Sequence, residues 1–346
     1  MKSRSYRPSY LSSKYKSKTT KSSLKKIIHS TKKHFRKNKL GDINFFHDPK
    51  TNRIYNLRKD KCKVEQLLLR NLLKKTNLNP KKIILPRQIR TNCWFNVLFI
   101  IYFISDKGRL FTKPIRYSII KKKYNTKTIE NKSLTKLSNS LFLLNIAIEA
   151  CSTGSTIAHK IDTNEIIENI YDSIYYKKPW LLKPGEYGNA LEYYSELIKY
   201  LYPNMSYPIS TKIHQEQYQH MILNKNIYVP TKLPHMFIVE ISDDESNMID
   251  YKTNTLMIMS TFNNQKGKYS LDCVCLRDVD KSHVSSLFTI NKTGYFFDGE
   301  SDDVMKPLSW NNDAFINSNK NFYIDSKSAQ FNFRKGYQIL YYYRTK

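Results

Sequence analysis

Three side chains able to carry out nucleophilic acyl chemistry, a thiol, an imidazole and a carboxylate, occur in the order Cys93, His283, Asp298. Cys93 stands in "LPRQIRTNCWFNVLFIIYFIS", residues 85 to 105, at the start of a strongly apolar run. We predict that it lies in the first turn of a core helix. The unpaired N–H groups and the dipole of a helix N-terminus favour an anion, and a thiolate is such an anion. The position therefore suits a thiol nucleophile.

A thiol nucleophile of this kind needs a histidine base, and the histidine needs an orienting partner. His283 begins the β-rich run "SHVSSLFTI"; the turn "NKTG" follows, and "YFFDG" then ends near Asp298. Two such runs predict a β-hairpin, which brings the end of the second strand beside the start of the first. We therefore predict that Asp298 lies next to His283 and orients it.

The residues flanking these positions are candidates for binding a substrate. Gln88 stands five residues before Cys93, where its side-chain amide and the Cys93 backbone N–H could hold an oxyanion. Trp94 is a candidate substrate contact. The segment "FFDGESDDV" is an acidic island in a basic chain, and it has two interpretations. It is a solvated loop, or it forms a subsite for a basic peptide through three acidic residues, Glu300, Asp302 and Asp303.

Other assignments compete with this one. Cys93 could be an ordinary core cysteine with an unrelated histidine. Cys273 and Cys275 are two residues apart on a predicted strand, so we expect both to face one side together with Tyr269 and Leu271. Core packing explains them, because a zinc site would need two further ligands and no partner C-x-x-C exists. We expect neither a metal nor a cofactor.

The elements that must position these residues fall into two halves. Apolar residues at helical spacing predict five helices before Pro208, at 62–76, from Cys93 to about Ser105, 134–151, 163–176 and 186–201. After Pro208, short β-rich runs separated by polar turns predict a largely antiparallel sheet. Helices followed by strands predict an α+β fold with two lobes and a cleft between them.

Composition bounds the function. The chain has 346 residues and a net charge of +29, and residues 1–40 hold 14 Lys or Arg without one acid. We predict a disordered basic arm there, either a solvated tail or an anchor for nucleic acid. Five scattered cysteines indicate a reducing compartment rather than a secreted disulfide framework. We expect no signal peptide, because "MKSRSYRPSY" lacks an apolar segment, and no membrane span, because the longest apolar run has 11 residues and a span needs about 20.

The segment "RQIRTNCWFNVLF" resembles the cysteine box of ubiquitin-specific proteases, in which an amide residue precedes a "GNTCYMNSxLQ"-type sequence. Asn96, three residues after Cys93, matches that box. Thr91 replaces the asparagine that usually stands two residues before the cysteine, and Arg90 replaces the glycine. The likeness is to divergent members from mimivirus-like large DNA viruses, and the Lys-, Asn-, Ile- and Tyr-rich alphabet agrees with an AT-rich genome.

The segment "KYSLDCVCLRDVDKSHVSSLFTINKTGYFFDGES" resembles the histidine box of the same family. The usual "GGHY" is absent, since Ser282 and Val284 flank His283. The resemblance covers roughly residues 85–343 and implies a papain-like fold, with Cys93 as nucleophile, His283 as base, Asp298 as orienter and Gln88 as oxyanion donor. It implies ubiquitin or ubiquitin-like conjugates as substrates, in a host cytoplasm or a virion.

These observations lead to a domain scheme and two hypotheses. Residues 1–40 form the arm, 41–84 an N-terminal extension with a short helix, and 85–346 the catalytic domain. The first hypothesis is a cysteine peptidase or isopeptidase. The second is a catalytically inactive virion protein with a protease fold, which binds nucleic acid or a partner through its basic surface; the missing box glycines favour it.

Overall fold

The structure is a computed structural model, and all residues that it describes belong to the unit Leu40–Lys346. The described residues are 45–57, 59–74, 77–122, 132–155, 157–158, 161–174, 210–224, 227–229, 232–241, 252–278, 283–301, 304–324 and 329–345. The predicted basic arm, the helix predicted at 186–201, and Asp302 and Asp303 lie outside them.

The segment before Cys93 contributes a hairpin and a helix. Strands β1 (Phe45–Asp48) and β2 (Arg53–Asn56) pair antiparallel, and α1 (Lys61–Leu73) follows. The apolar residues of α1, among them Val64, Leu67 and Leu68, are buried in the same core as the cysteine-bearing helix. The short helix of the proposed extension thus packs directly on the segment that follows.

Within the described ranges, the helical part contains five further helices. They are α2 (Cys93–Phe103), α3 (Asp106–Phe111), α4 (Lys113–Ile120), α5 (Lys132–Thr153) and α6 (Thr163–Ile174). Every residue of α2 is buried, as expected for a helix that is apolar on all sides. It packs on the central strands β7 and β8 of the sheet, which the shorter α3 also contacts, so it lies where the helices meet the β half.

In the part of the β half that the structure describes, nine strands form one sheet and two short helices accompany it. Its elements are β3 (Ser210–His214), α7 (Gln215–Asn224), β4 (Ile227–Val229), β5 (Met236–Ile241), β6 (Thr255–Ser260), β7 (Lys266–Arg277), β8 (Val284–Ile290), β9 (Thr293–Phe297), β10 (Met305–Pro307), α8 (Asp313–Ile316) and β11 (Gln338–Arg344). The main path runs β10-β9-β8-β7-β11-β5-β3, and β6 joins β4 to β7. The pairs β3–β5 and β4–β6 are parallel and the others antiparallel. The α+β class is confirmed.

A β-bulge overturns one prediction about β7. The register between β7 and β11 shifts at Tyr341/Tyr342, so the alternation of side chains is interrupted near Asp272. Cys273 and Cys275 consequently face the core under the helices, whereas Tyr269 and Leu271 face the core on the other side of the sheet. The expectation that all four share one face was wrong, because it assumed an unbroken period of two.

Two further features of the described residues bear on function. None of their helices combines the length and the apolar character required to cross a membrane. Within the same residues, no three side chains of His, Cys, Asp or Glu are grouped as metal ligands would be.

Candidate active site

Cys93 is the first residue of α2, as the sequence predicts. The first bond across the opening turn runs from the Asn96 N–H to the Asn92 carbonyl, at 3.0 Å. The backbone N–H groups ahead of it at the N-terminus have no partner within the helix. The Cys93 side chain is 5% exposed. The sulfur therefore belongs to a helix end that favours a negative charge, in a setting largely shielded from solvent.

A buried polar network fixes the loop that leads into α2. The Asn92 side chain accepts a hydrogen bond from the Ile89 N–H at 2.7 Å and donates to the Thr163 hydroxyl at 2.8 Å. That hydroxyl donates to the Asn96 side-chain oxygen at 2.6 Å, and the Asn96 amide donates to the Arg87 carbonyl at 3.0 Å. The network ties the start of α6 to both sides of Cys93.

The β8–β9 hairpin brings the predicted histidine and carboxylate together. Ser286 pairs with Phe297, and both residues of the tight turn, Asn291 and Lys292, have positive φ angles of 52° and 67°. Such a turn matches the right-handed twist of paired strands. His283, just before β8, and Asp298, just after β9, therefore lie at the same end of the hairpin, and Asp298 Oδ1 is 2.7 Å from His283 Nε2.

The backbone of His283 is held separately from its ring. Its N–H donates to Asp278 Oδ1 at 3.0 Å, and the Asp278 N–H donates to the His283 carbonyl at 2.9 Å. The His283 and Asp298 side chains are 5% and 0% exposed. The imidazole is therefore fixed both at its backbone and at Nε2, which leaves Nδ1 as the ring nitrogen free for a reacting group.

Electrostatics favour the charged form of this histidine. Burial alone would lower the pKa of His283. The hydrogen bond to Asp298 and the adjacent Cys93 thiol act in the opposite direction, as does the charge of Glu300, and together they raise the pKa of His283 to about 10. An imidazolium beside a thiol at a helix N-terminus is the arrangement that stabilises a thiolate.

His283 Nδ1, the ring nitrogen not bonded to Asp298, makes no hydrogen bond of ordinary geometry among the described residues. The Cys93 thiol is nevertheless near enough to raise the pKa of His283. Hydrogen bonds between a nucleophile and its base are often poorly aligned in the absence of substrate and form fully when it binds.

The Gln88 side chain lies at the site but is already engaged. Its Nε2 donates to the Arg90 carbonyl at 3.2 Å and to Glu300 Oε1 at 3.0 Å. The Gln88 backbone N–H donates to the Gly299 carbonyl at 2.9 Å. The loop after β9 is thus docked on the segment before Cys93, and the role of Gln88 as oxyanion donor stays a prediction.

The remaining predicted substrate contacts differ in exposure. Trp94 is 5% exposed and packs edge-on against Phe95, with 5.6 Å between the ring centroids. It offers little surface to a substrate in this state. The Glu300 side chain is 48% exposed, beside the imidazole. The roles assigned to both residues stay predictions.

Sequence reasoning missed Thr163 and the part played by Asn92. Thr163 lies 67 residues after Asn96, and nothing in its local sequence marks it as part of this site. A signal was present for the asparagines, because polar amides flanking a cysteine in a strongly apolar run are costly to bury unless they are hydrogen-bonded. That pattern predicts buried hydrogen bonds for the asparagines, but it does not identify Thr163 as their partner.

No protein-family profile and no curated protein matches the chain. Solved structures do match. The SAGA DUB module Ubp8/Sgf11/Sus1/Sgf73 bound to monoubiquitin matches at 8% identity and a TM-score of 0.45, over 92% of this chain and 84% of that chain. The same module bound to ubiquitin aldehyde matches at 9% identity and a TM-score of 0.46, over 88% and 81%. A yeast SAGA DUB module with an Sgf73 mutant matches at 11% identity and a TM-score of 0.33, over 92% of this chain and 84% of that chain.

Proposed function

We propose that this chain is a thiol-dependent peptidase or isopeptidase that removes ubiquitin or a ubiquitin-like modifier. The observation that carries the proposal is the 2.7 Å bond between His283 Nε2 and Asp298 Oδ1, formed beside a cysteine that begins a buried helix. These three residues are separated by 190 and 15 positions along the chain. Their convergence supports a catalytic use more than three independent structural uses.

The proposed reaction has two half-cycles, and the first one ends with a thioester between Cys93 and the substrate. His283 holds the proton of the Cys93 thiol, and the thiolate attacks the carbonyl carbon of the scissile bond. A C–S bond forms and the carbonyl oxygen becomes an oxyanion, held by the Cys93 backbone N–H and the Gln88 amide. When the intermediate collapses, the C–N bond breaks and His283 donates its proton to the leaving amine.

The second half-cycle restores the enzyme. A water molecule gives a proton to His283 while its oxygen attacks the thioester carbon. The C–S bond breaks, the acyl group leaves as a carboxylic acid, and the proton on His283 returns the cysteine to its resting state. Asp298 keeps the imidazole in the orientation that exposes Nδ1 to the sulfur throughout.

The substrate class follows from the resemblance of the two boxes to those of ubiquitin-specific proteases. Glu300 is half-exposed, and its Oε1 lies 3.9 Å from His283 Nδ1. A basic segment near the end of an extended peptide is the chemistry that such a carboxylate would attract. Asp302 and Asp303 would extend the same subsite.

A ubiquitin-propargylamide probe tests this function, because it forms a covalent bond only with a correctly placed thiol nucleophile. We expect the protein to be labelled and Cys93→Ala to abolish labelling. Cys62 is the matched control, since it is an exposed free cysteine on α1; Cys62→Ala should be labelled like the wild type. A folded protein that resists both ubiquitin and ubiquitin-like probes, yet binds DNA with a steep salt dependence, would favour the inactive virion protein.

A further inference from the structure

The Glu300 carboxylate contacts two members of the proposed catalytic set at once. Its Oε1 lies 3.0 Å from Gln88 Nε2 and 3.9 Å from His283 Nδ1. Since Nε2 of the imidazole is bonded to Asp298, Nδ1 is the nitrogen that must serve the sulfur. One carboxylate oxygen therefore lies between the proposed oxyanion donor and the reactive side of the base.

Both N–H donors of the Gln88 side-chain amide are used in this state. A side-chain amide has two N–H donors. One goes to the Arg90 carbonyl and the other to Glu300. Both neighbours are acceptors, so the end of the side chain that faces them must be the nitrogen. A substrate oxygen can receive an N–H from Gln88 only when one of these two bonds is exchanged.

The bond to Glu300 is the one that can be exchanged. The Arg90 carbonyl belongs to the same short loop as Gln88, whereas Glu300 comes from the opposite loop and its side chain is 48% exposed. The backbone on that side is held independently, through the Glu300 N–H to Asp298 Oδ1 at 3.0 Å and the Gln88 N–H to the Gly299 carbonyl at 2.9 Å. Rotation of one side chain therefore frees the amide without moving either loop.

We propose that the Glu300 carboxylate occupies the oxyanion position of the resting site and must swing away before acyl transfer. The inference rests on the proposed function. A carboxylate oxygen and a tetrahedral oxyanion both carry negative charge and use the same charge-assisted donors. They compete for one place, so Glu300 limits the reaction although it lies beside the catalytic residues. The same carboxylate also stabilises the imidazolium when no thiolate or substrate is paired with it.

Substitution of Glu300 measures this competition. At a saturating concentration of the ubiquitin-propargylamide probe, at which weaker binding through the acidic subsite does not affect the rate, we expect Glu300→Ala to be labelled about threefold to tenfold faster than the wild type, the effect of removing one solvent-exposed, charge-assisted hydrogen bond. Glu300→Gln keeps the size of the side chain but loses its charge, and its labelling rate should lie between those of the wild type and Glu300→Ala. Glu216→Gln, an exposed carboxylate on α7, is the control and should react at the wild-type rate. Equal rates in all four proteins, or slower labelling of a folded Glu300→Ala, would overturn the proposal.

A second measurement does not depend on the reaction. In ¹⁵N-labelled protein, the Gln88 side-chain amide resonance, assigned by its loss in Gln88→Met, should lie at a clearly different chemical shift in Glu300→Ala than in the wild type, because the hydrogen bond to the carboxylate is lost. Glu216→Gln should leave the resonance where it is in the wild type. A protein that no probe labels but whose Gln88 resonance behaves in this way would refute the proposed function and leave the contact standing. A Gln88 resonance that ignores Glu300 would refute the occupied oxyanion position, whatever the activity.

Discussion

Thr163 and Asn96 are joined by a 2.6 Å hydrogen bond from the threonine hydroxyl to the asparagine oxygen, and this bond ties α6 to the cysteine-bearing helix. Thr163 also accepts a hydrogen bond from Asn92. The hydroxyl thus satisfies two buried amides that flank Cys93. The position of the proposed nucleophile depends on a residue far from it in sequence.

Replacing this hydroxyl tests the network. In Thr163→Val, which keeps the side-chain shape, a donor on Asn92 and an acceptor on Asn96 lose their partner, so we expect the free energy of unfolding to fall by about 1–3 kcal/mol. Labelling by the ubiquitin probe should slow by about tenfold or more, because the start of α2 loses its fixed position. Urea unfolding and labelling rates measure both effects. Thr163→Ser should retain most of the stability and of the labelling rate. A valine variant with wild-type stability and labelling would contradict the role of the hydroxyl in positioning Cys93.

Asp298 provides the second prediction. Asp298→Asn preserves the size of the side chain but removes the charge that favours the imidazolium and allows the wrong tautomer. We expect labelling to slow by about two to four orders of magnitude while the fold is retained. Circular dichroism checks the fold, and the labelling rate checks the role. Labelling within a factor of two of the wild type would show that Asp298 does not orient the base.

His283 should make stability depend on pH in a defined window. Its pKa in the folded state, about 10, lies above the ordinary value of 6.5, so the folded state holds the proton more tightly. The stabilisation is present in full below pH 6.5 and is lost as the pH rises towards 10. We therefore expect the stability gap between the wild type and His283→Gln to shrink by up to about 4 kcal/mol between pH 6 and pH 10. Urea unfolding at several pH values measures that gap, and a constant gap would contradict the raised pKa.

Lys252 should lower the stability of the protein at low pH, where His283 raises it. Its burial, followed by the charge of Arg334, lowers its pKa from 10.5 to about 7, so the unfolded chain binds the proton more tightly than the folded protein between these values. The destabilisation is therefore complete below pH 7 and disappears as the pH rises towards 10.5. We expect Lys252→Met to raise the free energy of unfolding by about 1–4 kcal/mol at pH 6 and by much less at pH 10.

Substitution of Lys252 leaves no buried backbone group without a hydrogen bond at the Phe333 carbonyl. Lys252 Nζ donates to the Phe333 carbonyl at 2.6 Å, but that carbonyl also accepts from Gln338 Nε2 at 2.8 Å. It keeps a partner when the lysine is removed. Lys252→Arg, which retains the charge, should show no gain at pH 6, and thermal or urea unfolding distinguishes the variants. A methionine variant less stable than the wild type at pH 6 would show that the lysine is a net stabiliser.

Much of the local structure was readable from sequence, since it follows from short-range patterns. The run after Cys93 is apolar on all sides and forms a buried helix, and the turn between β8 and β9 follows directly from adjacent β-rich segments. Because a hairpin needs no long-range information, the pairing of His283 with Asp298 could be anticipated. The hairpin β1–β2 and the helices α3 and α4 were missed, as their segments are only four to eight residues long.

The bulge in β7 shows where local reasoning fails. Strict alternation predicts one face for Tyr269, Leu271, Cys273 and Cys275, but one extra residue on that strand reverses the faces beyond it. Whether a strand carries a bulge depends on its neighbour, β11, which lies more than 60 residues further along the chain. The sequence of β7 does not contain that information.

By itself, the sequence determined which side chains could react and which short elements carry them, because helix ends, hairpins and apolar periodicity are properties of neighbouring residues. Only the tertiary structure decided what these side chains meet. It brought the thiol beside the imidazole, placed Thr163 between two asparagines, and put Glu300 on the amide of Gln88. Such contacts join segments 67 to 212 residues apart. They arise when α2 packs between the helices and the sheet. This packing depends on residues far apart in the chain, so the pattern of neighbouring residues does not predict it.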